Sequence, residues 1–75
     1  MTQVVRVLVD GASGLEFDYS IPDKIRNKVV VGSRIRVPLR NRPSTGTVVA
    51  FVSSDELGVA VSKIKPIIDL ISEKP

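Results

Sequence analysis

Short runs of alternating apolar and polar residues, broken by glycine and proline, most limit how this 75-residue chain folds. Val5, Val7 and Val9 of the first run share one face of an extended chain, because successive side chains of a strand point to opposite sides. The apolar residues are mainly Val and Ile, whose branched side chains favour strands, and aromatic residues make up only 4%. The pattern therefore predicts β structure, with a first strand over residues 4–9.

Further strands follow from the same reasoning. Residues 17–21 form a short run that Pro22 ends, and from residue 33 the alternation is clean, with a cationic outer face and Pro38 at a strand end or sheet edge. Residues 40–46 are typical of a loop and 47–52 of a strand, which together indicate a hairpin with a basic tip. Residues 64–71 fit both helical and strand spacing, but a proline inside a helix costs roughly 3 kcal/mol, so Pro66 favours a short strand.

The chain length restricts this fold to one core, since a domain of this size buries only about 60% of its unfolded surface. We therefore expect residues 1–75 to form a single, mainly β domain. Five or six short strands with Gly or Pro turns predict a small antiparallel barrel or sandwich, possibly with one short helical segment.

Histidine and cysteine are both absent, which removes the usual zinc ligands, the usual general base near neutral pH and the thiolate nucleophile. No phosphate-binding loop, serine elbow or dinucleotide fingerprint is present. Glu16 and Asp18 are better explained as solvated acids than as a catalytic pair. We expect no catalytic residue, no metal site and no cofactor in this chain. No apolar run reaches the roughly 20 residues that span a bilayer, so we expect a cytoplasmic domain without membrane contact.

Positive charge is concentrated between Lys24 and Arg42, where seven cations and no acid fall within nineteen residues. Such a stretch is either a solvated surface or a site for phosphates, and if it binds DNA its affinity falls with salt and shows little sequence preference. The candidates for DNA contact in this stretch are Arg34, Arg36, Arg40 and Arg42.

Phe17, Asp18 and Tyr19 are the more discriminating feature, since two of the three aromatic residues flank a carboxylate. An aromatic ring stacks on a base for about 1–3 kcal/mol, and a carboxylate accepts a hydrogen bond from a hydroxyl or a base amino group. The alternative is that both rings enter the core and Asp18 caps a turn.

Five segments in register, residues 4–10, 17–22, 32–39, 46–49 and 64–71, resemble the N-terminal domain of the bacterial replication-restart helicase PriA, primosomal protein N-prime. The resemblance implies a DNA-binding domain that captures the 3' end of the nascent leading strand at a stalled fork. It also implies that the chain is an N-terminal part of a longer ATP-dependent 3'-to-5' helicase. The motor with its ATP and the zinc-binding segment then lie outside this chain, and the partners are DNA, the remaining helicase domains and primosome proteins.

The resemblance assigns the end-binding pocket to Phe17, Asp18 and Tyr19, with Asp18 on the terminal nucleotide, and adds Lys65 from the last matched segment. The family usually has a glycine where this chain has Arg40, and that cation is expected to reach a phosphate instead. Two other classes stay open on the residues alone. One is an SH3-like or OB-like barrel that binds RNA or protein, and the other is a purely structural interaction domain.

Overall fold

The computed structural model describes residues 3–11, 13–57 and 63–72. Its five strands form one antiparallel sheet in the order β2-β1-β4-β3-β5, so the predicted mainly β fold is confirmed. In place of a helical segment, the described residues contain short 3-10 turns at Asp23–Ile25 and Ser54–Glu56. The strands are β1 (Gln3–Val9), β2 (Glu16–Ile21), β3 (Arg34–Leu39), β4 (Arg42–Val52) and β5 (Asp69–Ser72).

One face of the sheet forms the core, as the alternation predicted. Val5, Val7 and Val9 of β1 are buried together with Ile35 and Val37 of β3. Further buried members of the cluster are Tyr19, Ile21, Val29, Val48 and Ile67. The core is small and almost entirely aliphatic, and its aromatic member, Tyr19, lies next to the site described below.

Strand β4 is long enough to pair with two strands, with β3 along its first half and with β1 along its second. The two neighbours meet at Gly46, which pairs with both Val9 and Ile35. A Cβ atom there would lie 2.5 Å from Val7 Cγ1 and 2.9 Å from the Leu8 carbonyl oxygen. The backbones approach too closely for any side chain, so this glycine is required by packing.

The two edges of the sheet are linked by the segment that precedes β5. The Ser20 amide in β2 donates to the Lys65 carbonyl, and the Ile67 amide donates to the Ser20 carbonyl, each at 2.9 Å. The Ile68 amide then donates to the backbone carbonyl of Arg36 in β3 at 2.7 Å. Residues 65–68 therefore bridge from β2 to β3 and draw the single sheet towards a small barrel.

The predicted hairpin is present, but the predicted loop over residues 40–46 is wrong. The turn consists of Arg40 and Asn41 alone, and β4 already begins at Arg42. Pro43 pairs with Pro38 and Gly46 with Ile35, so residues with turn-like chemistry lie inside a strand. Pairing with β3, together with the close packing at Gly46, outweighs the local preference for a loop.

The last strand is also displaced from its predicted position. A strand does form, but it begins at Asp69, and Pro66 lies before it in an isolated parallel bridge with Ser20. The donors of that bridge are Ser20 and Ile67, so the missing proline amide costs nothing. Pro38 lies at the end of β3, beyond the residues that β5 pairs, which agrees with its predicted position.

Candidate nucleic-acid interface

An open pocket of about 320 Å³ lies where β2, the end of β3 and the segment 63–65 converge. It brings together five predicted site residues that are far apart in sequence. The lining consists of Phe17, Asp18, Tyr19, Pro38, Leu39, Arg40, Lys63, Ile64 and Lys65. Sequence reasoning missed Lys63, because the charge count concentrated on the stretch that ends at Arg42.

The free edge of β2 gives this pocket hydrogen-bonding groups from the backbone. Alternate residues of an antiparallel strand turn their N–H and C=O groups to the same side. The Ser20 amide and carbonyl point away from β1, towards residues 65–67. Asp18, two residues earlier, therefore turns its own amide and carbonyl to that same side, where it lines the pocket. Neither group has a backbone hydrogen-bond partner among residues 3–11, 13–57 and 63–72, so Asp18 offers one donor and one acceptor side by side.

The Asp18 side chain is held by Arg6 on the neighbouring strand. The two residues are directly opposite in the β1–β2 register, and Arg6 Nε donates to Asp18 Oδ1 at 3.1 Å. The hydrogen bond and the charge of Asp18 raise the pKa of Arg6. Sequence reasoning missed Arg6, although the register of a hairpin between β1 and β2 places it opposite Asp18. The second carboxylate oxygen, Oδ2, has no hydrogen-bond partner within the described part of the chain.

The two aromatic residues of the motif differ in accessibility. Tyr19 is only 4% exposed, and its hydroxyl donates to the Pro38 carbonyl at 2.9 Å, which ties β2 to the end of β3. Burial raises the pKa of the Tyr19 hydroxyl, so the donor keeps its proton at neutral pH. Phe17 is half-buried and packs against the rim of the core. Tyr19 therefore shapes the pocket wall, and Phe17 is the ring with surface left for a ligand.

Arg40 occupies a backbone conformation that suits glycine. Its φ is 52° and that of Asn41 is 65°, as a two-residue hairpin turn of the mirror-image type requires. A side chain in this left-handed region costs about 1–2 kcal/mol, which explains why glycine is favoured there. The strained backbone places an exposed guanidinium on the wall of the pocket.

Three cations, Arg40, Lys63 and Lys65, line the pocket, and none has an ion pair among the residues that the structure describes. Cations beside a cavity attract phosphate when no nearby acid already neutralises them. The electrostatic character of the pocket is therefore positive at its rim, with one carboxylate, that of Asp18, bound to Arg6.

The predicted cations Arg34 and Arg36 lie elsewhere, on the outer face of β3, and both are paired with acids. Arg34 bonds both oxygens of Asp10, with Nη2–Oδ2 at 2.6 Å and Nη1–Oδ1 at 3.3 Å, and this contact lowers the pKa of Asp10. Arg36 Nη1 lies 3.2 Å from Asp69 Oδ2. Arg42 is exposed at the start of β4 and does not line the pocket.

The described ranges contain neither a metal-binding cluster nor a membrane-spanning helix. No group of three or more Asp or Glu residues is arranged there to hold a metal ion. No helix in those ranges has the length and apolar character to cross a membrane.

Comparison with known proteins identifies the family. The model of the PriA 3'DNA-binding domain (3'BD) matches residues 6–75, which is nearly the whole chain. No curated protein and no solved structure matches. The match includes every residue of the pocket, the whole of β2 and the hairpin turn between β3 and β4. The chain therefore belongs to the family of 3'DNA-binding domains of PriA and is a DNA-binding domain.

Proposed function

We propose that this domain binds the 3' end of a DNA strand, with the terminal nucleotide in the pocket between β2, the β3 end and residues 63–65. The observation that carries the proposal is the outer edge of β2 at Asp18. It offers a backbone donor, a backbone acceptor and a carboxylate at one residue, Asp18, beside three cations that have no ion pair with another described residue.

Each group of the pocket binds a different part of the terminal nucleotide. Phe17 offers a ring face to the base, and stacking is insensitive to which base is present. The Asp18 amide and carbonyl bond the polar edge of the nucleotide. The free oxygen Oδ2 of Asp18 accepts a hydrogen bond from a 3' hydroxyl. Lys65, with Arg40 and Lys63, neutralises the nearest phosphate.

The carboxylate makes the pocket selective for ends. It accepts a hydrogen bond from a 3' hydroxyl and repels a 3' phosphate, since two negative groups at contact distance are unfavourable. Within a continuous strand the 3' oxygen carries a phosphate, so the same repulsion disfavours internal positions. The result is recognition of an end with little reading of sequence.

In a cell, a free 3' end of the nascent leading strand marks a stalled replication fork. We place the domain there, as the part that positions a PriA-type helicase for restart in the cytoplasm, together with primosome proteins. In this proposal ATP and zinc belong to other parts of the parent helicase. The family assignment and the character of the pocket support it.

The decisive experiment compares DNA duplexes with a recessed 3' hydroxyl, a recessed 3' phosphate or blunt ends, by fluorescence anisotropy. We expect the hydroxyl end to bind about tenfold more tightly than the phosphate end, which is the range of one hydrogen bond to a charged group. Asp18→Ala should remove that preference.

Asp55→Ala is the matched control, because Asp55 is an exposed acid in the turn Ser54–Glu56 and does not line the pocket. It should retain the preference of the native domain. Equal affinity of the native domain for all three ends would contradict the proposal.

A further inference from the structure

A second cavity, of about 220 Å³, lies directly beside the pocket for the 3' end. It is lined by Gly11, Ser13, Leu15, Phe17, Leu39 and Arg40. Three of these residues, Phe17, Leu39 and Arg40, also line the first pocket. The two cavities therefore share a wall, and a chain molecule in one has a direct route into the other.

The lining of the second cavity is suited to a ring with flat apolar faces. Leu15 is 56% exposed, so its aliphatic side chain has apolar surface available to a ligand in this cavity. Phe17 and Leu39 add apolar surface from the shared wall. The β1–β2 turn supplies the far side, with φ values of 75° at Gly11 and 57° at Ser13.

Arg40 adds the charge that connects the two cavities. It is exposed, lines both of them and has no ion pair among the described residues. Its backbone has the left-handed conformation of the hairpin turn, which fixes the position of its Cα atom on the shared wall. A phosphate that joins two nucleotides, one in each cavity, would lie beside this cation.

We infer that the second cavity binds the base of the penultimate nucleotide of the strand whose 3' end occupies the first pocket, with Arg40 on the phosphate between them. The inference rests on the proposed function, because the first pocket fixes which nucleotide comes next. Leu15 is the specific contact of the second cavity, and Ser13 provides a hydroxyl at its rim. Because the contact is made to a ring face, every base is accepted.

The test uses single-stranded DNA with a free 3' hydroxyl and an abasic site at the penultimate position. Removal of that base should lower affinity on the order of tenfold, the effect of losing one stacked base. In Leu15→Ala the abasic site should cost much less, because the contact is already gone. Leu8→Ala, a partly exposed leucine on β1 outside both cavities, should respond as the native domain does.

Two results would overturn the inference: an abasic penultimate site that binds the native domain unchanged, or a penalty that Leu15→Ala leaves intact. A penalty that appears only in duplex DNA would also overturn it, since the occupant would then be a base of the template strand. The 3' hydroxyl against 3' phosphate comparison separates this failure from that of the proposed function. If end preference persists without a penultimate effect, only the second cavity is refuted.

Discussion

Two cationic regions of this domain look alike in sequence and differ in the fold. On the outer face of β3, Arg34 and Arg36 are paired with Asp10 and Asp69, which lie 24 and 33 residues away along the chain. At the pocket, Arg40, Lys63 and Lys65 have no such partners among the described residues. The number of cations in a stretch is therefore a poor measure of its available charge. What matters is which acids the fold brings to them.

The two regions also differ in their contact with the hydrophobic core. The pocket wall includes Tyr19, a core residue, whereas the β3 arginines lie on the surface. Changes at Tyr19 are therefore expected to affect stability and binding together, and changes of the β3 arginines to affect both only weakly.

The largest expected effect is on stability, from Tyr19→Ala. Removing a buried aromatic side chain costs about 3–5 kcal/mol, against a total stability of roughly 4–11 kcal/mol for a chain of this length. Tyr19→Phe removes only the hydrogen bond to Pro38 and should cost about 1 kcal/mol. Urea denaturation measures both. A Tyr19→Ala domain as stable as the native one would show that the pocket wall is independent of the core.

The next effect is on DNA affinity, from the double variant Arg40→Ala/Lys65→Ala. Loss of two phosphate contacts should weaken binding on the order of tenfold or more and reduce the slope of log affinity against log salt by about 1.4 for a single strand. Arg34→Ala/Arg36→Ala should change both quantities less, because these cations are already neutralised. Anisotropy titrations at several salt concentrations make the comparison.

Asp69→Asn provides the matched control for that result. It leaves Arg36 in place and removes its partner, so affinity for DNA should rise slightly and the salt slope should steepen. If both double variants weaken binding equally, the distinction between the two regions fails, and the β3 arginines keep their predicted role in DNA contact.

Arg40→Gly separates the backbone cost of the hairpin turn from the charge that it carries. Glycine relieves the left-handed conformation, so stability should rise by about 1 kcal/mol. Affinity for DNA should nevertheless fall severalfold, because the guanidinium is lost. Thermal denaturation measures the change in stability, and fluorescence anisotropy on the same samples measures the change in DNA affinity. A variant that gains both stability and affinity would show that Arg40 makes no phosphate contact.

The smallest expected effect is the pH dependence of the Asp10–Arg34 pair. Arg34 lowers the pKa of Asp10 in the folded state, so the pair stabilises the fold fully above the ordinary aspartate pKa. That contribution is lost as pH falls through the lowered value. Between about pH 5 and pH 2, Asp10→Asn should therefore lose slightly less stability than the native domain. Asp55→Asn, at an exposed acid that forms no ion pair with another described residue, should follow the native curve.

Particular residues show how much of this was predictable. The inward faces of β1 and β3 followed from alternation, because burial of one face leaves a period of two in the sequence. The hairpin was also predictable, but the length of its loop was not. Glycine is typical of turns, and only the close approach of Val7 and Leu8 shows that Gly46 lies inside a strand. Five site residues were predicted to act together and do line one pocket, although their contact with DNA stays a prediction.

The sequence by itself determined the first three strands, the buried faces of β1 and β3, and the family, because these depend on local periodicity and on the order of motifs. Only the tertiary structure decided which cations are paired with acids, that Arg6 holds Asp18, and that the amide and carbonyl of Asp18 face the pocket side of β2. The physical reason is that charge neutralisation and strand pairing join residues distant along the chain. No local pattern records such contacts, so the availability of a group for a ligand is a property of the fold.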